Sequence, residues 1–276
     1  MRRIACILPV AGLAVALASF AFVGTGCQKL QARDHLNKGV NAFKNAQYPE
    51  AVEQFKKAVD LDPNFPTARL YLATAYMQQY IPGSESPDNL NMAAAAFDQF
   101  NKVLEQNPKD TVAIQSIASL MLNEKKWKEA RDWYNRLTEV DPKNTVGYYS
   151  LGFIAWSEWY PAYGTARANL GMKLEDPGPL KDKKVRAELR DKYGPIIDAG
   201  LKSLDRALEI DPEYDDAMAY ENLLYRERAD LADSKDEYER QIKIADDWVA
   251  KALATKKIKA DRKSKTGGGI TMDQTK

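Results

Sequence analysis

Four times along the chain an Asp or Asn stands immediately before a proline. Each pair closes a stretch whose apolar residues recur at helical spacing: AVEQFKKAVDLDP at Asp62-Pro63, AAFDQFNKVLEQNP at Asn107-Pro108, EARDWYNRLTEVDP at Asp141-Pro142 and AGLKSLDRALEIDP at Asp211-Pro212. Proline cannot continue a helix, and it pushes the residue before it out of the helical region. Each pair therefore reads as a helix stop. The segment Thr111–Pro142 is one unbroken unit and the next begins at Thr145, a period of 145 − 111 = 34 residues. One helix hairpin of that length leaves an apolar face bare, so stacking three or more is what buries a core. About five such units fit between residues 32 and 254, and the fold class expected is all-α.

Small and bulky residues alternate within these units as close helix packing requires: a small residue lets a neighbouring helix approach, and a bulky one nearby fills the space beside it. In the first unit Gly39 is the small residue, Tyr48 lies in the turn, Ala51, Phe55 and Ala58 share a face, and Pro63 closes. Leu72, Ala73, Tyr76, Ala96, Phe100, Val103 and Pro108 repeat the pattern in the second unit. Ala118, Trp127, Ala130, Tyr134, Leu137 and Pro142 carry it in the third. The fourth begins with Leu151 and Gly152 and resumes at Gly200, Leu204, Ala207 and Pro212; a fifth starts at Asp215 and resumes at Ala245, Val249 and Ala252. This pattern resembles the tetratricopeptide repeat. The resemblance implies a right-handed superhelical solenoid of about five hairpins, without closing proline in the last.

Three units carry insertions between their helices, around 81–91, 159–195 and 232–238. The second of these, in unit 4, is the most individual part of the sequence. It opens with aromatics, and Asp182 stands as an N-cap before Val185, Leu189 and Tyr193, which share one helical face. A short helix is expected there, broken at Gly194-Pro195. Two readings stay open: a partner-binding arm, or a helical extension packed on its own solenoid. The charge-dense RERADLADSKDEYERQ, 226–241, reads as a solvated helix end and loop.

At the N-terminus Arg2 and Arg3 precede an apolar run from Ile4 to Val23, then Gly24, Thr25, Gly26 and Cys27. That order reads as a secretory signal over 1–26 followed by a tether at 27–31. Small residues before a cysteine resemble a bacterial lipobox, which implies lipidation at Cys27; Gly24 departs from that pattern, where a branched apolar residue is usual. An uncleaved signal anchor is the alternative, since twenty apolar residues just span a bilayer. Gln28, rather than Asp, after the cysteine implies by the same resemblance an outer-membrane location facing the periplasm. Residues 255–276 are rich in lysine and contain three consecutive glycines, so a disordered basic tail is expected.

Little in the sequence supports chemistry. Net charge is +1, with 40 basic against 39 acidic residues, which gives no case for a nucleic-acid partner. The one histidine, His35, has no His or Cys partner beyond Cys27 in a processed chain and reads as structural. Asp211, Glu213, Asp215 and Asp216 begin like a calcium loop, but the glycine and terminal acid that such a loop needs are missing. No catalytic residue, metal site or cofactor is expected, and the chain reads as a non-enzyme.

The tetratricopeptide resemblance also implies a partner-binding groove lined by the first helix of each unit. The apolar residues at its positions are Leu36, Val40 and Phe43, then Leu70 and Met77, then Leu122, then Tyr149, Phe153 and Trp156. Val40 and Tyr71 stand where relatives that clamp a C-terminal carboxylate need Asn, so that ligand is not expected. The function expected is a membrane-tethered scaffold binding another envelope protein, as lipoproteins of this architecture do in assembling outer-membrane barrels and pilus secretins. Alternatives are a glycan- or lipid-binding module using Trp156, Trp159, Tyr160 and Tyr163, or an accessory subunit of an envelope enzyme.

Overall fold

The computed structural model of the chain describes the backbone of residues 12–266 and the side chains of residues 27–264. Among the described residues there are ten helices and no strand: α1 (Gly12–Lys44), α2 (Tyr48–Leu61), α3 (Pro66–Gln79), α4 (Pro87–Gln106), α5 (Thr111–Asn123), α6 (Trp127–Val140), α7 (Thr145–Asn169), α8 (Lys183–Ile210), α9 (Asp215–Ala229) and α10 (Lys235–Thr266). They divide into two compact units, residues 1–124 and 125–276. Within the first, each of α1 to α5 packs on the next, with α1 also touching α3, and α3 touching α5. Within the second, α6 to α10 pack in the same succession and α7 also touches α9.

The Asp/Asn-Pro pairs do end helices. Asp62, Asn107, Asp141 and Asp211 are the C-caps of α2, α4, α6 and α8, each with a non-helical backbone as the following proline demands. Each turn then closes the same way, the cap carbonyl accepting from the amide three residues on: Phe65, Asp110, Asn144 and Tyr214, at 3.0–3.1 Å. Side-chain caps start two of the helices that follow, α5 and α7: Asp110 accepts from the amide of Ala113 and Asn144 from that of Gly147.

The small-residue positions mark close helix crossings. A methyl group on Gly39 would stand 2.5 Å from the Phe55 ring, and one on Gly200 would stand 2.5 Å from the Ala155 Cβ. Around the second crossing, Trp159, Ile197, Leu204 and Leu224 are fully buried. Burying side chains of this size stabilises by about 2–3 kcal/mol each.

The insertion in unit 4 is a helical extension, but not the expected short helix. α7 runs on through Pro161 to Asn169, and α8 starts at Lys183 and continues through Gly194-Pro195 without a break. Asp182 caps α8 as expected, accepting from the amides of Lys184 and Val185. The proline forfeits one backbone bond. The flanking residues keep the helix whole: Ile197 is buried and Tyr193 packs on Trp159 at 5.1 Å, so the apolar face is held on both sides of Pro195.

Two further expectations are corrected. The tract 226–241 is solvated only in part: Asp233, Ser234, Lys235, Asp236, Glu239 and Arg240 are exposed, but Glu227, Ala229, Asp230, Leu231 and Ala232 are buried. The tail is not disordered from residue 255, because α10 extends to Thr266; residues 267–276 lie outside the described residues. Its basic residues meet the acidic turn before α9, Lys259 reaching Asp215 at 2.5 Å and Arg262 forking onto Glu213 at 2.6 and 2.8 Å. Two of the acids that begin like a calcium loop, Glu213 and Asp215, thus bind this helix. Among the described residues no group of three or more His, Cys, Asp or Glu is placed to hold a metal.

Candidate functional site

Tyr149, Phe153, Trp156 and Tyr160 follow one another at spacings of four, three and four along α7, which places them on one face of the helix. The face opposite comes from α9. Tyr220 sets its ring edge-on to Tyr149, Phe153 and Trp156 with centroids 5.4–5.6 Å apart. Tyr214, in the turn before α9, meets Tyr149 at 5.1 Å, and Trp156 stacks on Tyr160 at 4.8 Å. Such edge-on and offset pairs are the arrangements that ring quadrupoles favour. All of these rings keep an accessible part: Tyr149, Phe153, Trp156 and Tyr220 are half-buried and Tyr160 is exposed.

One buried carboxyl abuts this stripe. The Trp156 indole Nε1 donates to Glu227 Oε1 at 2.9 Å. The other oxygen, Oε2, has no partner, and the residue is only 5% exposed. Burial pushes the Glu227 pKa up to about 8, opposed by the indole hydrogen bond. Burial likewise raises the phenols of Tyr149 and Tyr220, with the Asp216 charge adding to it.

Below the stripe the insertion is anchored by buried charge. Arg167 pairs with Asp230 and donates to the carbonyls of Lys173 and Asp176, while Arg186 donates to that of Leu180. The Leu180 amide in turn donates to the Asp230 carbonyl at 3.0 Å. The segment between α7 and α8 is thereby tied to the end of α9. The rings facing the stripe come from Tyr214 and α9, and the insertion packs instead around Trp159, Tyr163, Leu180 and Ile197. Trp159 and Tyr163 are buried, which removes two of the four rings that a glycan- or lipid-binding platform would need.

In the first unit the expected groove residues lie on α1, α3 and α5. Leu36, Val40, Phe43, Leu70, Met77 and Leu122 are all half-buried, and Phe43 meets Tyr48 at 5.3 Å and Tyr71 at 6.5 Å. His35 bonds Gln54 of α2 at 2.8 Å through Nδ1, the structural role expected of it. Cys27 is exposed on α1. The apolar run before it lies partly outside the described residues, and among those described no helix is long and apolar enough to cross a membrane.

Sequence reasoning missed Tyr220 and Glu227. Groove positions counted from Asp215 select Asp216, Ala219, Leu223 and Arg226 instead. The available signal was their seven-residue separation, two helical turns, which puts both on one face of α9.

Residues 43–79 match the family model of the TPR repeat. A search of the curated proteins finds no match. Among solved structures the chain is similar to the MamA protein, at 15% identity, covering 88% of this chain and 97% of that one with a TM-score of 0.55. It is similar as well to MamA from Desulfovibrio magneticus RS-1, residues 41 to the end, at 16% identity, 82% and 96% coverage and a TM-score of 0.55. Together with the repeated turns and close crossings, these likenesses make the fold that of the tetratricopeptide-repeat class.

Proposed function

We propose that this chain is a non-catalytic scaffold that holds a segment of another protein, tethered at the bacterial cell envelope. The observation that carries the reading is the α7 stripe, four aromatic residues in succession that keep accessible ring surface although α9 packs beside them. Aromatic side chains dominate interface hot spots, and a chain that needed these positions only for packing would bury them as it buries Trp159. The tether rests on the order of residues before Cys27, which fits removal of 1–26 and acylation of the exposed thiol, and Gln28 fits the outer membrane facing the periplasm.

The test is recovery of the partner. Phe153→Glu with Trp156→Glu places charge on the half-buried stripe, and cross-linked partner should be lost while the helical spectrum is kept. Equal recovery from the variant would remove the scaffold reading. Cys27→Ala should move the protein from the membrane to the soluble fraction; continued membrane association would favour the uncleaved anchor.

A further inference from the structure

The α7 stripe has acids at both ends and no cation of its own. At one end Asp216 is exposed, and its charge adds to the burial that raises the phenols of Tyr149, Tyr214 and Tyr220. At the other end the buried carboxyl of Glu227 accepts from the Trp156 indole, and its second oxygen is closed off from solvent without a partner. Glu158, on the next turn of α7, is already taken by Arg131. The basic residues of α9 are likewise engaged, Arg226 by Asp246 and Arg228 by Asp198.

Elsewhere in both units the chain places cations over its rings. Lys56 lies over Tyr76, Arg136 over Trp133, Lys192 over Tyr193, Arg228 over Tyr225 and Lys251 over Trp248, at 4.0–5.6 Å from the centroids. Among the described residues no cation occupies the rings of Tyr149, Phe153, Trp156, Tyr160 or Tyr220. A ring face attracts a cation through its quadrupole, best for Trp, and adjacent carboxylates add to that attraction. An acidic segment laid here would be repelled by Asp216, and an apolar one would leave the charge of Asp216 unanswered.

Resting on the scaffold reading above, we propose that this stripe receives a basic side chain, Arg or Lys, carried on an extended segment of the partner polypeptide. The faces of Trp156, Tyr160 and Tyr220 take the cation, and Asp216 and Glu227 supply the counter-charge. In the free protein burial favours the neutral carboxyl of Glu227; a cation held on the neighbouring Trp156 ring favours the carboxylate, and the proton leaves to solvent.

Panning the immobilised full chain against a random nonapeptide library tests this. The expected result is enrichment of peptides carrying Arg or Lys. The affinity of such a peptide should fall about tenfold when its arginine is replaced by citrulline, and severalfold in Asp216→Asn and Glu227→Gln. Both variants are near-isosteric, and Glu227→Gln retains an acceptor for the indole, so denaturation curves close to wild type should accompany the loss. Enrichment of acidic or purely apolar peptides that Trp156→Glu abolishes would overturn the basic-partner inference and leave the scaffold reading standing. No enrichment of any peptide would overturn both. Binding of phosphatidylcholine vesicles, lost in Trp156→Glu, in place of peptides would also overturn the proposal.

Discussion

The indole of Trp156 donates its only N–H to the carboxyl of Glu227, 71 residues further along the chain, and so joins α7 to α9 at the end of the aromatic stripe. Glu227 is one of two buried glutamates on α9. The other, Glu221, is fully buried, and neither of its oxygens has a partner. Burial pushes the pKa of each up to about 8, and Asp205 adds to the effect at Glu221.

These two groups set a pH dependence. Between the ordinary glutamate value of 4.5 and about 8 the folded protein keeps protons that the unfolded chain has lost. Folding stability from this source is therefore fully present below pH 4.5 and falls as pH rises through 8. Urea denaturation at pH 5 and pH 8.5 should show a loss of several kcal/mol between them, up to about 4 kcal/mol for each group. The double variant Glu221→Gln, Glu227→Gln should flatten most of that difference; parallel curves for variant and wild type would contradict it.

Arg167 is buried with Asp230 and holds the Lys173 and Asp176 carbonyls at 2.7 and 2.5 Å. Removing one partner of a buried pair leaves the other charge uncompensated. Arg167→Ala should cost about 3–5 kcal/mol in thermal or chemical unfolding. Hydrogen exchange should rise first across residues 170–182, and uniform protection there would show that the clasp is not what orders the segment.

Gly200 and Gly164 make a matched pair. A methyl on Gly200 meets the Ala155 Cβ at 2.5 Å, whereas one on Gly164 meets nothing within 4 Å. Gly200→Ala should destabilise by about 1–3 kcal/mol through overpacking. Gly164→Ala, in mid-helix, should gain about 0.5–1 kcal/mol. The same sign for both substitutions would refute the close crossing of α7 and α8.

Ala46 holds a left-handed backbone, φ 57°, in the turn between α1 and α2, where the Gln47 amide reaches back to the Ala42 carbonyl at 2.9 Å. Side chains with a Cβ are strained in this region. Ala46→Gly should raise the melting temperature, with a gain of about 0.5–1 kcal/mol. A lowered melting temperature would mean that the entropy cost of glycine exceeds the strain relieved.

Much of the architecture could be read from local pattern. Pro63, Pro108, Pro142 and Pro212 mark the ends of α2, α4, α6 and α8 because a proline acts on its own turn and on the residue before it. Gly39 and Gly200 mark the close crossings, and Asp182 the start of α8. The α7 stripe was equally visible in Tyr149, Phe153 and Trp156. What covers it was not, because Tyr220 approaches from a helix that begins only after the insertion, and no local rule states which face of α9 turns inward.

Where helices stop, which positions need a small residue and which face of α7 is aromatic can be read along the chain, because each of these depends on neighbours within a turn or two. The rest follows from long-range packing. Glu227 and Asp230 read as solvated charge and are buried, because Trp156 and Arg167 arrive from α7 to bond them. α8 stays whole through Pro195 because Tyr193 and Ile197 on either side are packed. Residues 256–266 read as a loose basic tail and are helical, as Lys259 and Arg262 reach acids at the start of α9 that lie more than forty residues away in sequence. Burial and ion pairing depend on what the fold brings alongside, and that partner is distant in the chain in every one of these cases.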